Sequence, residues 1–258
     1  MNLDDRRLGL LREMGLTAWV PRHAGSAPDA PAVAAADGPV AAAPGPEGLA
    51  AAPPEALPPR GTRPSGIEQM DWPALREAVA GCRACALCES RRHTVFGVGH
   101  EQAHWMIVGE APGENEDRLG EPFVGQAGRL LDNMLRAIGL TREAAPPQRQ
   151  VYICNVLKCR PPGNRNPEPQ EVAQCEPFLK RQVALVKPRI ILAMGRFAVQ
   201  SLLRTTEPIG RLRGRVHDYE GVPLIVTYHP AYLLRNLPDK AKAWDDLCLA
   251  LDTLQARP

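Results

Sequence analysis

Four short apolar runs punctuate the chain, at residues 104–108 (HWMIV), 151–157 (VYICNVL), 189–194 (RIILAM) and 222–227 (VPLIVT). Each is too short for a helix and too continuously apolar for a sheet with one wet face, so each reads as a strand buried on both sides. Around them, helical spacing of apolar residues predicts helices over residues 72–81, 126–138, 169–186, 196–203 and 240–256. Strands separated by helices cannot be joined by tight hairpins. They pair in parallel through βαβ units, which gives an α/β fold layered as an α/β/α sandwich.

In such a sheet ligands bind beyond the carboxyl ends of the strands. Three segments of unusual composition fall at those ends: GEAPGENED from Gly109, NVLKCRPPGNRNP from Asn155, and YHPAYLLR from Tyr228. In the first, Gly109 and Gly113 permit a tight turn and close approach of a ligand to backbone N–H groups, while Gly125 and Gly128 open the following helix. The loop is not built for phosphate, because no lysine followed by Ser or Thr is present and Glu110, Glu114, Glu116 and Asp117 would repel an anion. A neutral heterocycle or a developing cation suits it better. A carboxylate can orient water or stabilise an oxocarbenium-like sugar, and Phe123 can stack on a planar ring. A solvated acidic loop, with Phe123 in the core, is the alternative.

The cysteines form a second constellation. The chain has seven, an odd number, and no secretion signal, which points to metal or cluster binding more than to disulfides. Cys82 and Cys85 form a C-x2-C pair, Cys88 follows, and Cys159 and Cys175 lie far downstream. Two ligands on one turn and two brought in by the fold can hold zinc or an iron–sulfur cluster. Cys154 and Cys248 sit within strand and helix patterns and read as small buried residues. Cys88 has ligand-like spacing, but four thiols are already available without it.

Composition divides the chain. Residues 21–64 hold 14 alanines and 11 prolines with no aromatic residue, so no core can form there and the segment reads as a semi-extended linker. Ahead of it, Leu8, Leu10, Leu11, Met14 and Leu16 outline one face of a short helix that could dock on another protein. We therefore expect a helical segment over residues 1–20, a linker over 21–65 and one compact domain over 66–258. No apolar run approaches the ~20 residues that cross a bilayer, and the charged N-terminus leads us to expect a cytoplasmic protein. Charge is uneven: from Lys158 to Arg235 there are 13 Lys and Arg against 6 Asp and Glu, in a chain of net charge +2. Such asymmetry is expected of a surface that follows a phosphate backbone, although it also occurs on ordinary solvated faces.

Taken in order, C-x2-C with FGVG, GEAPGENED, PFVGQAGRLL, NVLKCRPPGNRNP, a cysteine before PFL, and HPAYLLR resemble the iron–sulfur uracil-DNA glycosylases, family 4 of that superfamily. The resemblance covers roughly residues 70 to 255. It implies a three-layer sandwich around a four-stranded parallel sheet. It also implies one 4Fe-4S cluster on Cys82, Cys85, Cys159 and Cys175, with zinc the lesser candidate, and a structural role for that cluster. The implied reaction is base-excision repair: deoxyuridine is flipped out of single- or double-stranded DNA and its N-glycosidic bond is hydrolysed, releasing uracil and leaving an abasic site.

The resemblance further implies roles residue by residue. Phe123 would stack on the flipped base, Asn155 would read its edge, and close packing would reject the methyl group of thymine. His229 would donate to uracil O2 as negative charge grows there. Relatives with a GQDPYH-type motif use an aspartate to place the water; the corresponding residue here is Ala111, so Glu116 is our first choice for water placement or sugar-cation stabilisation, with Glu110 shaping the pocket. The backbone at Gly109 and Ala111 would touch base or water. Leu233 or Leu234 would fill the gap left by the flipped nucleotide, and Arg160, Arg165, Arg213 and Arg235 would hold DNA. Competing readings are a noncatalytic nucleic-acid-binding module with a structural metal and a relative that traps the abasic sugar covalently on histidine. The second carries a basic KRRIH-like insertion that is absent here. We expect a monomer, with a protein partner for the N-terminal segment.

Overall fold

The computed structural model describes residue 61 and residues 63–256. The expected N-terminal helix and most of the expected linker lie outside the described residues. Among the described residues the first element is a 3-10 turn, Ile67–Gln69, followed by helix α1 (Trp72–Ala80), whose first turn is capped by Asp71 accepting from the Ala74 N–H at 3.0 Å. A short helix α2 (Leu87–Ser90) and a two-residue strand β1 (Val98–Gly99) lead into β2 (Trp105–Gly109). After it come α3 (Glu114–Leu119), α4 (Gln126–Ala137) and β3 (Tyr152–Asn155). Helix α5 (Pro169–Val186), β4 (Ile190–Met194), α6 (Arg196–Leu203) and the single turn α7 (Ile209–Leu212) follow. The chain closes with β5 (Val216–Tyr219), β6 (Val222–Thr227), α8 (Pro230–Leu233) and α9 (Asp239–Gln255).

The four strands expected from the apolar runs form the parallel heart of the sheet, β3-β2-β4-β6. Two further strands extend it to six in the order β1-β3-β2-β4-β6-β5, and both edge strands pair antiparallel. Their sequences concealed them. β1 is only two residues long, and β5 (VHDY) is polar with three of its four side chains at least partly exposed.

Every residue of β2, β3 and β4 is buried, as the continuous apolar runs require. Side chains alternate between two cores. Met106, Val108, Ile191, Ala193, Leu224 and Val226 face α5 and α6. Trp105, Ile107, Leu192, Met194 and Ile225 face α4 and α9. Fully burying each such side chain contributes on the order of 1.5–3 kcal/mol, which is why the layering is fixed by these strands. A smaller cluster of Ile67, Leu75, Val79, Phe96 and Phe178 holds α1 against α5. The chain runs from β2 to β3 on one side and then crosses to β4 on the other, so a crevice opens at the carboxyl end of β2. Among the described residues no helix is long and apolar enough to cross a membrane.

Candidate active site

A cavity of about 450 Å³ opens at that crevice, and its wall includes Glu110, Ala111, Glu116, Phe123, Asn155 and His229. These six residues come from the ends of three strands and from α3 and the loop after it. Gly109 and Asn155 are register partners in the last rung of the β2–β3 ladder, and His229 follows the end of β6. Gly109 is required by contact: a Cβ there would stand 2.6 Å from Cζ of Phe123 and would strike the Asn155 side chain. Asn155 is buried, only 2% exposed.

Phe123 is buried and adopts a left-handed backbone conformation, φ 54°, unusual for a residue with a side chain. Its carbonyl leaves no room for a Cβ at position 128, which explains the glycine in the first turn of α4. The Phe123 ring stacks on His229, with centroids 5.3 Å apart and planes 25° from parallel. Nδ1 of His229 accepts a hydrogen bond from the Ala231 N–H at 3.1 Å. A nitrogen that accepts carries no proton, so the ring proton of the neutral imidazole is on Nε2. Burial holds His229 down at about 4, with Glu116 opposing and Arg235 assisting the shift.

The two acids differ in surroundings. Burial pushes Glu110 up to about 7, moderated by Arg196. Glu116 is engaged by backbone: Oε2 accepts from the Gly113 N–H at 3.1 Å, closing the first turn of α3, and Oε1 accepts from the Val124 N–H at 3.0 Å. Asp117 is buried and accepts from the Arg92 and His93 N–H groups, whereas Glu114 is exposed, with Arg160 3.7 Å away.

The residues expected to touch DNA separate into two groups. Leu234 is 40% exposed, but Leu233, one position earlier, is 1% exposed and packs inward, which removes it as a wedge. Arg235 is exposed at the rim, and Arg165 lines the cavity while its guanidinium holds Glu171 at 2.6 and 3.0 Å. Arg160 donates to Asn164 at 2.8 Å beside the same cavity. Arg213 is turned inward instead. Its Nε lies 2.7 Å from buried Asp246, another N–H reaches the Lys242 carbonyl, and the guanidinium covers the Tyr228 ring at 4.7 Å. With its side chain 12% exposed, it braces α9 against the end of β6 and is not presented to a DNA backbone. Tyr232, Pro161 and Asn164 also line the cavity, and no feature of their residue type or spacing singles them out.

The thiols meet on the other side of the β3 loop. Cys82, Cys85, Cys88, Cys159 and Cys175 line one enclosed space with Arg91 and Lys158. Cys88 therefore belongs to the same wall as the four expected ligands. Among the described residues no group of three or more His, Cys, Asp or Glu side chains is arranged to hold a single metal ion. Burial raises the Cys85 thiol, and it pushes Cys159 to about 11 and Cys175 to about 12. Two cations face these sulfurs: Arg91 donates to Sγ of Cys159 at 3.0 Å, and Lys158 is 1% exposed. Nζ of Lys158 donates to the Asn155 carbonyl and to Oε1 of Gln182, both at 2.6 Å. This buried ammonium joins the cysteine cavity to the residue at the floor of the other one.

A doubly covered parallel sheet whose strand ends gather a flat ring, an amide and an imidazole around one cavity defines a class of protein. The chain belongs to the uracil DNA glycosylase superfamily, whose family model matches residues 96–248. Within it, the chain is 46% identical to the type-4 uracil-DNA glycosylase of Archaeoglobus fulgidus over 164 residues, 60% of this chain and 79% of the relative. It is 39% identical to the type-4 enzyme of Saccharolobus solfataricus over 193 residues, covering 71% and 87% of the two chains. A third type-4 relative, from Thermotoga maritima, is 44% identical over 164 residues, 63% of this chain and 82% of its own.

Proposed function

We propose that the chain is a DNA-repair hydrolase that excises uracil from DNA, as the names of its type-4 relatives describe for them. The observation that supports this most directly is the hydrogen bond from Ala231 to Nδ1 of His229, which leaves Nε2–H as the donor. A neutral imidazole held in one tautomer can donate to uracil O2 while the C1′–N1 bond breaks and charge collects on the departing base. Because burial holds the group near 4, it is neutral at physiological pH and donates a hydrogen bond without giving up a proton.

The other residues take complementary parts. Phe123 stacks on the flipped uracil, and Asn155 offers an amide donor and acceptor to its edge. The Glu116 carboxylate, oriented by two backbone N–H groups, stabilises the cationic sugar as the bond lengthens. Glu110, set in the cavity wall beside Ala111, is placed to accept a proton from the attacking water in its charged form. We thus assign water placement to Glu110 and keep for Glu116 the sugar-cation stabilisation that was the other half of its expected role, because both oxygens of Glu116 already have partners. Leu234 serves as the wedge, and Arg160, Arg165 and Arg235 hold phosphates; Arg213 is a brace.

The cysteine cavity suits a 4Fe-4S cluster bound by Cys82, Cys85, Cys159 and Cys175. A donor set of four thiols faced by two cations suits an anionic metal–thiolate centre, and the order of the sequence motifs is what favours 4Fe-4S over zinc. When bound, the cluster supplies a structural tie between the segment joining α1 to α2, the loop after β3, and α5. Residues 66–258 carry the activity in this reading, residues 1–65 tether a docking segment for a protein partner, and the enzyme works in the cytoplasm as a monomer.

The test is release of free uracil from a labelled oligonucleotide with one U·G pair, by wild type and by H229A. Release by wild type, reduced on the order of 10²–10³-fold in a folded variant, supports the assignment. Absence of release from this and from a single-stranded substrate would favour a noncatalytic binding module.

A further inference from the structure

We propose that Arg142 is a positioning residue for the Phe123 ring, acting through the peptide group that joins Phe123 to Val124. The proposal rests on the uracil-excision reading and deepens it.

That peptide group is held at both ends. Its N–H, on Val124, donates to Oε1 of Glu116 at 3.0 Å. Its carbonyl, on Phe123, accepts from Nη2 of Arg142 at 3.0 Å. An acid and a base on opposite sides therefore fix the plane of one amide, and that plane sets the direction in which the Phe123 side chain leaves the backbone. The residue needs such support, because φ of 54° is a conformation that a side chain disfavours and that surrounding structure must over-determine.

Arg142 is suited to the task by what else it holds. Nη1 donates to the Pro122 carbonyl at 3.2 Å, so one rigid guanidinium spans two successive carbonyls. Nε donates to Asp132 on α4 at 2.6 Å, which fixes the fork. The arginine is itself anchored: its carbonyl accepts from Nε2 of Gln150 at 3.1 Å, and the Val151 N–H donates to the Thr141 carbonyl at 3.0 Å. Residues 150 and 151 run directly into β3, which ends at Asn155. The ring that stacks on the base and the amide that reads it are thus both referred to the same strand.

Arg142 lines a separate groove, with Asp132, Thr141 and Arg149, and is absent from the wall of the cavity that holds Phe123. Its shortest route to the cavity is the carbonyl of Phe123. A shift of ~1 Å in such a group can lower a rate on the order of 10²-fold.

The test uses the full-length, cluster-loaded protein in single-turnover uracil release from a U·G oligonucleotide, with wild type, R142A, R142K, F123A and the double variant F123A/R142A. R142A should slow cleavage by on the order of tenfold to 10²-fold, and it should weaken inhibition by free uracil while DNA affinity stays within about twofold. R142K should recover part of the rate. In the F123A background the same change should cost less than about twofold, since the route is gone. A folded R142A at the wild-type rate, or an equal loss in both backgrounds, overturns the proposal. If R142A fails to fold, D132N, which only frees the fork, takes its place in the same comparison and the same outcomes decide. An active wild type with an indifferent R142A sinks this inference alone, whereas an inactive wild type sinks the glycosylase reading with it.

Discussion

The rings of Phe123 and His229 stack 5.3 Å apart although one leaves a loop before α4 and the other the end of β6. The two side chains to which we assign base stacking and donation to O2 therefore support each other mechanically. F123A should lower uracil release and should also loosen His229. A double-mutant cycle of F123A with H229A, read as single-turnover rates, should show coupling of roughly 0.5–3 kcal/mol. Strict additivity would mean that the two rings act separately.

The pocket's two titrating groups respond to pH in opposite senses. Folding favours neutral Glu110, so the associated stability is present below the ordinary value of 4.5 and is lost as pH rises to about 7. E110Q should gain stability relative to wild type across that window and hold a constant margin above it. His229 is depressed from 6.5 to about 4, so its contribution is present above 6.5 and is lost as pH falls toward 4. H229N should remove that acid sensitivity. Melting temperatures between pH 4 and 8 check both, and curves parallel to wild type would contradict the burial argument.

Leu233 and Leu234 should part company on mutation. L233A opens a cavity at a site 1% exposed and should cost about 2–5 kcal/mol in chemical denaturation. L234A should leave stability nearly unchanged but slow excision from duplex more than from single-stranded DNA, because only a duplex needs its gap filled. Equal slowing on both substrates would remove Leu234 as the wedge.

Gly109 tolerates nothing larger. G109A places a methyl 2.6 Å from the Phe123 ring and against Asn155, so the fold should survive while uracil no longer fits. The expected result is a cooperatively melting protein with uracil release down by 10² or more, the scale of a group displaced by ~1 Å. Near-normal activity would mean that the ring and amide yield easily.

Lys158 is buried with two neutral oxygen partners, and the nearby sulfurs give its charge compensation once they are thiolates. K158M should lower bound iron and visible absorbance per chain, and C175S should do so more severely. Full iron loading of K158M would show that the ammonium serves Asn155 and Gln182 alone.

The parallel strands were legible because runs such as RIILAM and VPLIVT carry their burial in their composition, and α5 and α6 have the ends that their sequences predict. The edge strands were not, since VHDY is short and largely exposed. Around the site, motif order located Phe123, Asn155 and His229, which the fold brings to one cavity. Three matters lay beyond any linear reading. Which of two adjacent leucines faces out depends on the phase of one helical turn. That Arg213 is tied to Asp246 depends on a pairing across 33 residues. That Arg142 reaches Phe123 depends on how the loop after α4 folds back, and nothing in TREAAPP distinguishes that arginine from a surface charge.

The pairing of Gly109 with Asn155 in the final rung of the β2–β3 ladder has an implication for how errors would be expressed. Strand side chains alternate, so a slip of one residue would turn Asn155 into the opposite core and bring its neighbour to the cavity. Such a chain would still bury most of its apolar surface, because both faces of these strands are covered, yet its cavity would lack the Asn155 amide. One rung of a ladder thus decides which side chain the cavity receives, so a fault in pairing would surface in the site before it surfaced in the core.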